Sequence, residues 1–283
     1  MESQLQKLLQ DRLEQVVHHN RKDVSNEKLE RKKKLLERRD AKIVKAKGKG
    51  KILRQTDREV YYTLHFQYFV KQSHLMYLEE EIEQRKAIFV DQTVFKDEEI
   101  IPSWDEILSH DPYEEMEERA GFEYNRLKAV QYAEKWWNSY NPAYKTFQVD
   151  CTNFISQCLH AGGAPMRGYP NRSQGWWMQK GSWSYSWTVA NSLRLYLSQS
   201  KTGLKANEVG SAAELQPGDV ICYDFQGDGR FDHTTIVTAK DAYGMPLVNA
   251  HTFNCRMRYW SYEDSSAYTP KIQYKFFAIA DQH

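Results

Sequence analysis

VDCTNFISQCLHAGG, residues 149–163, is the stretch that decides the fold of this chain. After Asp150 the apolar side chains recur at helical spacing, and Gly162 and Gly163 supply a stop. Cys151 is therefore predicted to begin a helix. The unpaired amides and positive dipole end of a helix start favour thiolate, and with a cationic histidine nearby they lower a cysteine pKa from about 8.5 to between about 3.5 and 7.5. The stretch thus predicts a thiol that is nucleophilic near neutral pH.

The segments around this helix predict helices first and an antiparallel sheet second, which is an α+β domain. Before it, residues 125–141 carry apolar side chains at helical spacing, and Asn141-Pro142 ends that helix. After it, an aromatic stretch leads into a predicted helix at 188–199. Short apolar runs between turns then predict four strands: VICYDF at 220–225, HTTIVTA at 233–239, PLVNAH at 246–251 and IQYKFFAIA at 272–280.

The N-terminal part of the chain predicts a separate accessory α+β domain. Residues 1–17 place apolar side chains on one helical face, and KLERKKKLLERR at 28–39 predicts a second, highly charged helix. The KGKGK run at 47–51 is expected to break that pattern. Alternating apolar residues predict a half-buried strand at 59–71, and shared parity favours strands at 74–95. The chain therefore divides into an accessory domain at 1–110, a linker at 111–119 and a second domain at 120–283.

The charge is distributed unevenly, although the formal net charge is only +1. Residues 28–54 are dense in Lys and Arg, whereas 79–118 are dense in acids. One interpretation is a solvated basic helix that faces an acidic neighbour in the same domain. The other is a basic arm that binds nucleic acid or the cell envelope. The near-neutral total gives no global reason to expect nucleic acid as a partner.

Cysteine usage and apolar runs bear on the cellular compartment. Four cysteines in 283 residues, at positions 151, 158, 222 and 255, do not resemble a disulfide framework, which favours a reducing compartment. The N-terminal residues lack the apolar core of a signal peptide, and no apolar run reaches the roughly 18 residues that a membrane span needs. A soluble, cytoplasmic protein without a membrane span is expected, and envelope association stays open.

A thiol nucleophile needs a base that shares its proton and a polar group that orients that base. His233 opens the strand HTTIVTA, and a strand-edge imidazole beside a helix-start thiol suits the role of base. Asn249 lies on the next strand of the predicted hairpin, where its side-chain oxygen can accept a proton from one imidazole nitrogen and fix the tautomer. His251 shares the strand parity of Asn249 and is the alternative third residue.

Three neighbouring polar residues are candidates to support this site. Asp150 either caps the helix, as aspartate commonly does, or pairs with a base. The backbone N–H of Cys151, together with Asn153, is a candidate donor to an oxyanion. Asp232 directly precedes His233, and its carboxylate is expected to raise the pKa of His233 and favour an ion pair with Cys151.

Two further stretches each allow two interpretations, either as part of a functional site or as a purely structural element. The tryptophans after the Cys151 helix either wall a cleft for sugar or peptide or fill the core. The loop at 224–233 places acids at calcium-loop positions, but Thr235 stands where the bidentate glutamate belongs, which favours a glycine-rich turn. No metal or cofactor is predicted. The candidate cleft residues are Trp176, Trp177, Trp183, Ser184 and Trp187, of which Trp183 and Ser184 are expected to be exposed.

Residues 120–283 resemble the bacterial putative amidase domain family, which is similar to NlpC-type and CHAP-type cysteine peptidases with a papain-like fold. By this resemblance Cys151 takes the nucleophile position, His233 the base position and Asn249 the third polar position. NlpC-type relatives usually have Ser-Gly after the cysteine, where this chain has Thr152-Asn153. The matching segments are AVQYAEKWWNSYNP, DCTNFISQCLHAGG, GWW, SYSWTVANSL, LQPGDVICYDFQGDG, DHTTIVT and LVNAHT.

The resulting hypothesis is a cysteine-dependent amidohydrolase or peptidase that works through a thioester. The resemblance implies cell-wall peptides, or the amide that joins them to the glycan, as the substrate. Residue chemistry alone indicates an amide or ester, and acyl transfer would use the same residues. The alternative is a catalytically inactive cell-wall or peptide-binding module with the same fold. The accessory domain could position the catalytic domain, cover its cleft or mediate dimerisation through the N-terminal helices.

Overall fold

A computed structural model describes residues 1–17, 27–101 and 122–280 of the chain. The chain forms two compact units, Met1–Ile101 with Phe253–Tyr268, and Pro102–Thr252 with Thr269–His283. The predicted linker at 111–119 lies outside the described residues. Residues 253–268 belong to the N-terminal unit, whereas the sequence predicts a second domain that runs without interruption from 120 to 283. This difference arises because one strand of that segment pairs with the N-terminal sheet.

Six helices and twelve strands make up the part of the chain that the structure describes, together with a 3-10 turn at Ala212–Glu214. The helices are α1 Glu2–Val17, α2 Glu27–Arg38, α3 Arg126–Trp136, α4 Cys151–Ala161, α5 Tyr185–Thr188 and α6 Ala190–Gln199. The strands are β1 Ala41–Gln55, β2 Glu59–Gln72, β3 Leu75–Val90, β4 Thr93–Glu99, β5 Met178–Gln179, β6 Ser182–Trp183, β7 Ala206–Val209, β8 Val220–Asp224, β9 His233–Lys240, β10 Pro246–Ala250, β11 Cys255–Tyr259 and β12 Gln273–Ile279.

The N-terminal unit has two helices and an antiparallel sheet, as its sequence pattern predicts. In this sheet β2 lies between β1 and β3, and β3 also pairs with β4 and β11. The alternating residues of β2 are confirmed as its buried side. They are Val60, Tyr62, Leu64, Phe66, Tyr68 and Val70.

The helical pattern ends at Arg38 and the KGKGK run lies inside β1, so the run is not helical, as predicted, and it does not interrupt the strand. Gly48 instead permits close packing by α1. A Cβ atom at Gly48 would lie 2.7 Å from Leu9 Cδ1 and 3.3 Å from Leu13 Cδ1. The missing side chain therefore lets two leucines of the first helix rest on the strand backbone.

The side of β3 that lies beneath α2 is charged. Lys28 of α2 forms ion pairs with Glu83 and with Glu99, the latter at 3.1 Å, and Lys32 pairs with Glu79. Burial opposes ionisation of Glu83, but Lys28 and neighbouring Arg85 outweigh it and lower the pKa of Glu83 to about 2. The interpretation of a basic helix facing an acidic neighbour in its own domain is confirmed for these residues.

The second unit has a five-stranded antiparallel sheet in the order β10-β9-β8-β12-β7. Helix α4 packs against β9 and buries every residue from Cys151 to Leu159. Helix α3 is capped by Asn125, whose side chain accepts the backbone N–H of Lys128 at 2.9 Å. The predicted α+β class, with helices before an antiparallel sheet, is confirmed. No helix in the described ranges is long and apolar enough to cross a membrane.

Candidate active site

Cys151 is the first residue of α4, as the sequence predicts, but its side chain is enclosed. The residue is 1% exposed, and Sγ lies 3.7 Å from Thr152 Oγ1 and 4.0 Å from the backbone oxygen of Asp232. Burial raises the pKa of the Cys151 thiol, and hydrogen bonds from the Thr152 side chain and the Thr234 backbone offset only part of that rise. The predicted lowering of its pKa is therefore wrong for this closed arrangement, because desolvation exceeds the contribution of the helix start.

His233 is the first residue of β9 and is fully buried. It pairs in register with Tyr223 of β8, and its ring centroid lies 5.6 Å from that of Tyr223 and 6.0 Å from that of Phe225. Because the peptide oxygen of Asp232 lies beside Cys151 Sγ, the fold brings the start of β9 to the start of α4. Two elements distant in sequence thus meet at the thiol.

Asn249 lies in β10, where its register partner is Ile236 of β9. Its Oδ1 accepts a hydrogen bond from Thr238 Oγ1 at 3.0 Å, and its Nδ2 donates to Glu134 Oε1 at 2.8 Å. These contacts connect β9, β10 and α3 across the domain core. The role of Asn249 as the residue that orients His233 stays a prediction.

His251, the alternative third residue, is 2% exposed and uses both ring nitrogens inside the core. Nδ1 lies 2.8 Å from Asp150 Oδ2, and Nε2 lies 2.7 Å from the backbone oxygen of Trp136. The imidazole also stacks on Phe154 at 4.0 Å between centroids. Since a carbonyl oxygen only accepts, Nε2 carries a hydrogen, and one further proton is shared between Nδ1 and the carboxyl of Asp150.

Asp150 occupies the N-cap position of α4, but its side chain accepts no capping hydrogen bond, which corrects the prediction that it caps the helix. Its Oδ1 accepts the backbone N–H of Phe147 at 3.0 Å, and its Oδ2 faces His251. The sequence allows Asp150 either to cap the helix or to pair with a base, and the structure shows it paired with an imidazole. That imidazole belongs to His251. The carboxyl therefore connects the start of α4 to the end of β10.

The sequence predicts Asn153 as a donor to an oxyanion, but its contacts leave no side-chain hydrogen for that purpose. Its two Nδ2 hydrogens go to the backbone oxygen of Lys145 and to Asp150 Oδ1, both at 2.9 Å. Its Oδ1 accepts from Trp187 Nε1 at 2.9 Å. The residue is fully buried, so this expectation is corrected: Asn153 holds the loop before α4.

Thr252 is a component of the site that the sequence does not predict. Its Oγ1 accepts the backbone N–H of Asp150 at 3.0 Å and that of Cys151 at 3.1 Å. Its φ is 74°, in the left-handed region that a β-branched residue rarely adopts. Neither periodicity nor a motif predicts a positive φ two residues after a strand, and the only sequence signal is its place at the end of LVNAHT.

Asp232 directly precedes His233 at the end of the loop at 224–233, and its own pKa is perturbed. Burial, followed by the charges of Asp224 and Asp228, raises the pKa of Asp232 to about 6, against a hydrogen bond from the Phe225 backbone. Among the described residues its Oδ2 has no hydrogen-bond partner. The expectation that Asp232 raises the pKa of His233 stays a prediction.

Backbone N–H groups of the loop at 224–233 donate hydrogen bonds to the side chain of its first residue. Asp224 accepts the backbone N–H groups of Gly227 and Gly229, both at 2.7 Å, and that of Asp228 at 3.3 Å. Such bonds are typical of an Asx turn. They support the glycine-rich turn over a calcium loop. Within the described ranges, no group of three or more His, Cys, Asp or Glu is arranged to hold a metal ion.

The tryptophan segment is mainly core, which corrects the cleft prediction. Trp176, Trp177, Trp187 and Ser184 are fully buried, and Trp176 Nε1 donates to Ser156 Oγ of α4 at 2.9 Å. Ser184 is therefore not exposed as expected. Trp183 is half-buried, with Arg172 5.2 Å from its ring centroid. A cleft role for Trp183 stays a prediction.

Comparison with known proteins identifies the second unit. The chain is 58% identical over 267 residues to the uncharacterized protein YhbB of Bacillus subtilis, a match that covers 89% of this chain and 86% of YhbB. It is 32% identical over 126 residues to the uncharacterized protein YjcM of the same organism, covering 41% of this chain and 28% of YjcM. No solved structure gives a significant match. The family described as "Putative amidase domain" matches residues 123–277, more than half of the chain, which therefore belongs to that amidase family.

Proposed function

We propose that this protein is a cysteine-dependent amidohydrolase with Cys151 as its nucleophile. The observation that carries the proposal is the meeting of α4 and β9, where the peptide joining Asp232 to His233 lies beside Cys151 Sγ. A thiol at a helix start and an imidazole at the adjoining strand start are the two groups that acyl transfer through sulfur needs. Membership of the amidase family supports an amide as the bond cleaved.

In the proposed reaction, His233 takes the proton of the Cys151 thiol, and the sulfur attacks the carbonyl carbon of the amide. The tetrahedral intermediate collapses as the C–N bond breaks, and His233 returns the proton to the leaving amine. Water then attacks the thioester, with His233 as base, and releases the acid and the thiol. Hydrolysis thus consumes one water and regenerates both residues.

The oxyanion of each intermediate needs a hydrogen-bond donor. With the amide of Asn153 used inside the core, we assign this role to the backbone N–H of Cys151. That N–H would exchange its present bond to Thr252 Oγ1 for the substrate oxygen. Since Cys151 and His233 are enclosed, substrate binding must also displace a side chain that covers the sulfur.

The proposed substrate is a cell-wall peptide or the amide that joins such peptides to glycan. Purified peptidoglycan digested with the full chain should yield new amine and carboxyl termini that mass spectrometry locates. Cys151→Ala should produce none of them, and Cys158→Ala, which changes a buried cysteine of the same helix, is the matched control. New termini in the Cys151→Ala digest would exclude the mechanism, and their absence with the unaltered protein would exclude this substrate.

A second candidate is a wall- or peptide-binding module without catalysis. The observation that favours it is the complete enclosure of Cys151 and His233 together with the raised pKa of the Cys151 thiol. Iodoacetamide distinguishes the two. Alkylation of Cys151 near pH 6, faster than at Cys222 or Cys255, supports the enzyme, because only an activated thiolate reacts there. Slow and uniform labelling supports the binding module.

A further inference from the structure

Part of the basic run at 28–54 remains unpaired in the folded N-terminal unit. The lysines of α2 form ion pairs with acids of β3, but four lysines of β1 are exposed and form no ion pair with any described residue. These four lysines form the basic edge: Lys45, Lys47, Lys49 and Lys51. The described part of the chain thus offers their charges no partner.

The basic edge lies on one face of the N-terminal sheet. The strand β1 is the edge of that sheet, with β2 as its hydrogen-bonded neighbour. Gly48, between the lysines, contacts leucines of α1, so strand alternation places the lysines on the opposite face. At about 3.4 Å per residue, alternate lysines lie about 7 Å apart and the four span about 20 Å. A flat anionic surface can therefore contact all four at once.

Two large apolar side chains lie exposed near one end of the same sheet. Leu53 is 56% exposed and Phe95 is 75% exposed. Each is the extra residue of a β-bulge, Leu53 in the pairing of β1 with β2 and Phe95 in that of β4 with β3. The chain reverses at 56–58 after β1 and at 91–92 after β3, which brings both bulges near the same end. A bulge redirects a side chain, and here both redirected side chains are apolar.

The apolar residues distinguish this edge from one that is merely protected. Lysines on an edge strand commonly prevent other strands from pairing with it. That role does not account for Ile52 and Leu53, which follow Lys51 directly and are 39% and 56% exposed. At the surface of an anionic bilayer, in contrast, cations meet the lipid phosphates and apolar side chains enter the headgroup boundary. Such a surface uses both kinds of side chain.

We propose that the outer edge and adjoining end of the N-terminal sheet dock on an anionic lipid surface. The basic edge faces the lipid phosphates, and Leu53 and Phe95 enter the headgroup region. Each lysine near such a surface adds to the attraction, and each apolar side chain removed from water adds a second contribution. The inference concerns the N-terminal unit and does not depend on the chemistry proposed at Cys151.

The aromatic residues beside the basic edge favour lipid over nucleic acid. Proteins that bind single-stranded nucleic acid stack its bases on exposed aromatic rings. The ring of Tyr61 already has the guanidinium of Arg54 at 4.3 Å and the ammonium of Lys86 at 5.4 Å from its centroid. His65 Nε2 lies 2.8 Å from Glu80 Oε2. Neither ring is an open platform for a base.

The test measures binding of the full chain to lipid vesicles by sedimentation. Vesicles of phosphatidylglycerol and phosphatidylcholine should bind the protein, and vesicles of phosphatidylcholine alone should not. Replacing both Lys47 and Lys49 by Gln should weaken binding about 30-fold, because each lysine near an anionic surface contributes about fivefold. Replacing Lys7 and Lys34, exposed lysines of α1 and α2, is the matched control and should change binding less than about twofold.

Serine variants test the apolar contacts. Leu53→Ser and Phe95→Ser should each weaken binding about tenfold, because each loses apolar surface buried in the interface. Met76→Ser, which changes a 60% exposed residue at the other end of the sheet, should bind like the unaltered protein. Circular dichroism checks that every variant is folded.

Equal binding to both kinds of vesicle, or unchanged binding after the two lysines are replaced, would overturn the inference. Unchanged binding by either serine variant would also overturn it, because the lysines would then attract a polyanion without insertion. So would binding of a single-stranded oligonucleotide in place of the vesicles. Cys151→Ala should bind the vesicles like the unaltered protein, so loss of lipid binding and loss of amide hydrolysis are separate results.

Discussion

His251 Nδ1 and Asp150 Oδ2 lie 2.8 Å apart in the core, immediately before the proposed nucleophile. Both residues are at most 2% exposed. Since Nε2 of His251 faces a backbone oxygen, the pair holds one shared proton and is neutral as a whole. It joins the end of β10 to the start of α4 and so fixes the segment on which Thr252 and Cys151 meet.

Breaking this pair should destabilise the second unit strongly. Asp150→Ala leaves the buried imidazole of His251 without its hydrogen-bond partner at Nδ1, and we expect the free energy of unfolding to fall by about 3–5 kcal/mol. Urea unfolding of the full chain measures this change. Asp228→Ala, which removes a carboxylate from the exposed part of the 224–233 loop, is the control and should shift the midpoint little. Equal midpoints for the two variants would show that the pair does not hold the fold.

Removing the nucleophile should abolish turnover and leave the fold intact. For Cys151→Ala we expect a loss of at least about 10³-fold in the rate of amide hydrolysis, in line with the loss of other covalent nucleophiles. Product formation is followed by mass spectrometry and folding by circular dichroism. Cys158→Ala should keep the rate, because Cys158 lies in the core of the same helix, away from its start. Residual hydrolysis by Cys151→Ala would place the nucleophile elsewhere.

The ion pairs between α2 and β3 should carry much of the stability of the N-terminal unit. Lys32 contacts both Glu79 and Asp264, so Lys32→Met leaves buried carboxylates with less compensation. We expect a loss of about 3–5 kcal/mol, seen as a lower urea midpoint. Lys34→Met changes an exposed lysine of the same helix and should cost less than about 0.5 kcal/mol.

The protonation of Asp232 predicts how stability changes with pH. Its pKa in the folded state, about 6, is above the ordinary 3.8, so the folded state holds a proton that the unfolded state has released between these values. This contribution to stability is complete below about pH 4 and is lost as the pH rises through 6. The full shift would correspond to about 3 kcal/mol, which partial exposure reduces to about 1.

Asp232→Asn removes that pH dependence while keeping an acceptor for the Phe225 backbone N–H. At pH 7 the variant should therefore be more stable than the unaltered protein by about 1 kcal/mol, and at pH 4 the two should be equal. Urea midpoints at both pH values measure the difference. A gain of the same size at pH 4 would mean that the charge of Asp232 is not responsible.

The sequence predicted the helices and strands better than it predicted the contacts between them. Alternation identified the buried side of β2, because its inward residues are apolar. Parity correctly predicted strands at 74–95, but it does not identify the buried side of β3, which carries Glu79, Glu81 and Glu83. Those acids are buried because basic residues of α2, distant in sequence, lie above them. No local pattern in β3 predicts this partner.

By itself the sequence determined the two N-terminal helices, the strand β2, the helix start at Cys151, the strand start at His233 and the amidase family, since each depends on local periodicity or motif. Only the tertiary structure decided which polar groups meet. In that structure Asp150 hydrogen-bonds to His251, and Asn153 makes its hydrogen bonds inside the core. Thr252 adopts φ 74° and accepts the backbone N–H groups at the start of α4. The physical reason is that periodicity reports which face of an element is apolar, whereas hydrogen-bond partners and strained backbone depend on how the elements pack.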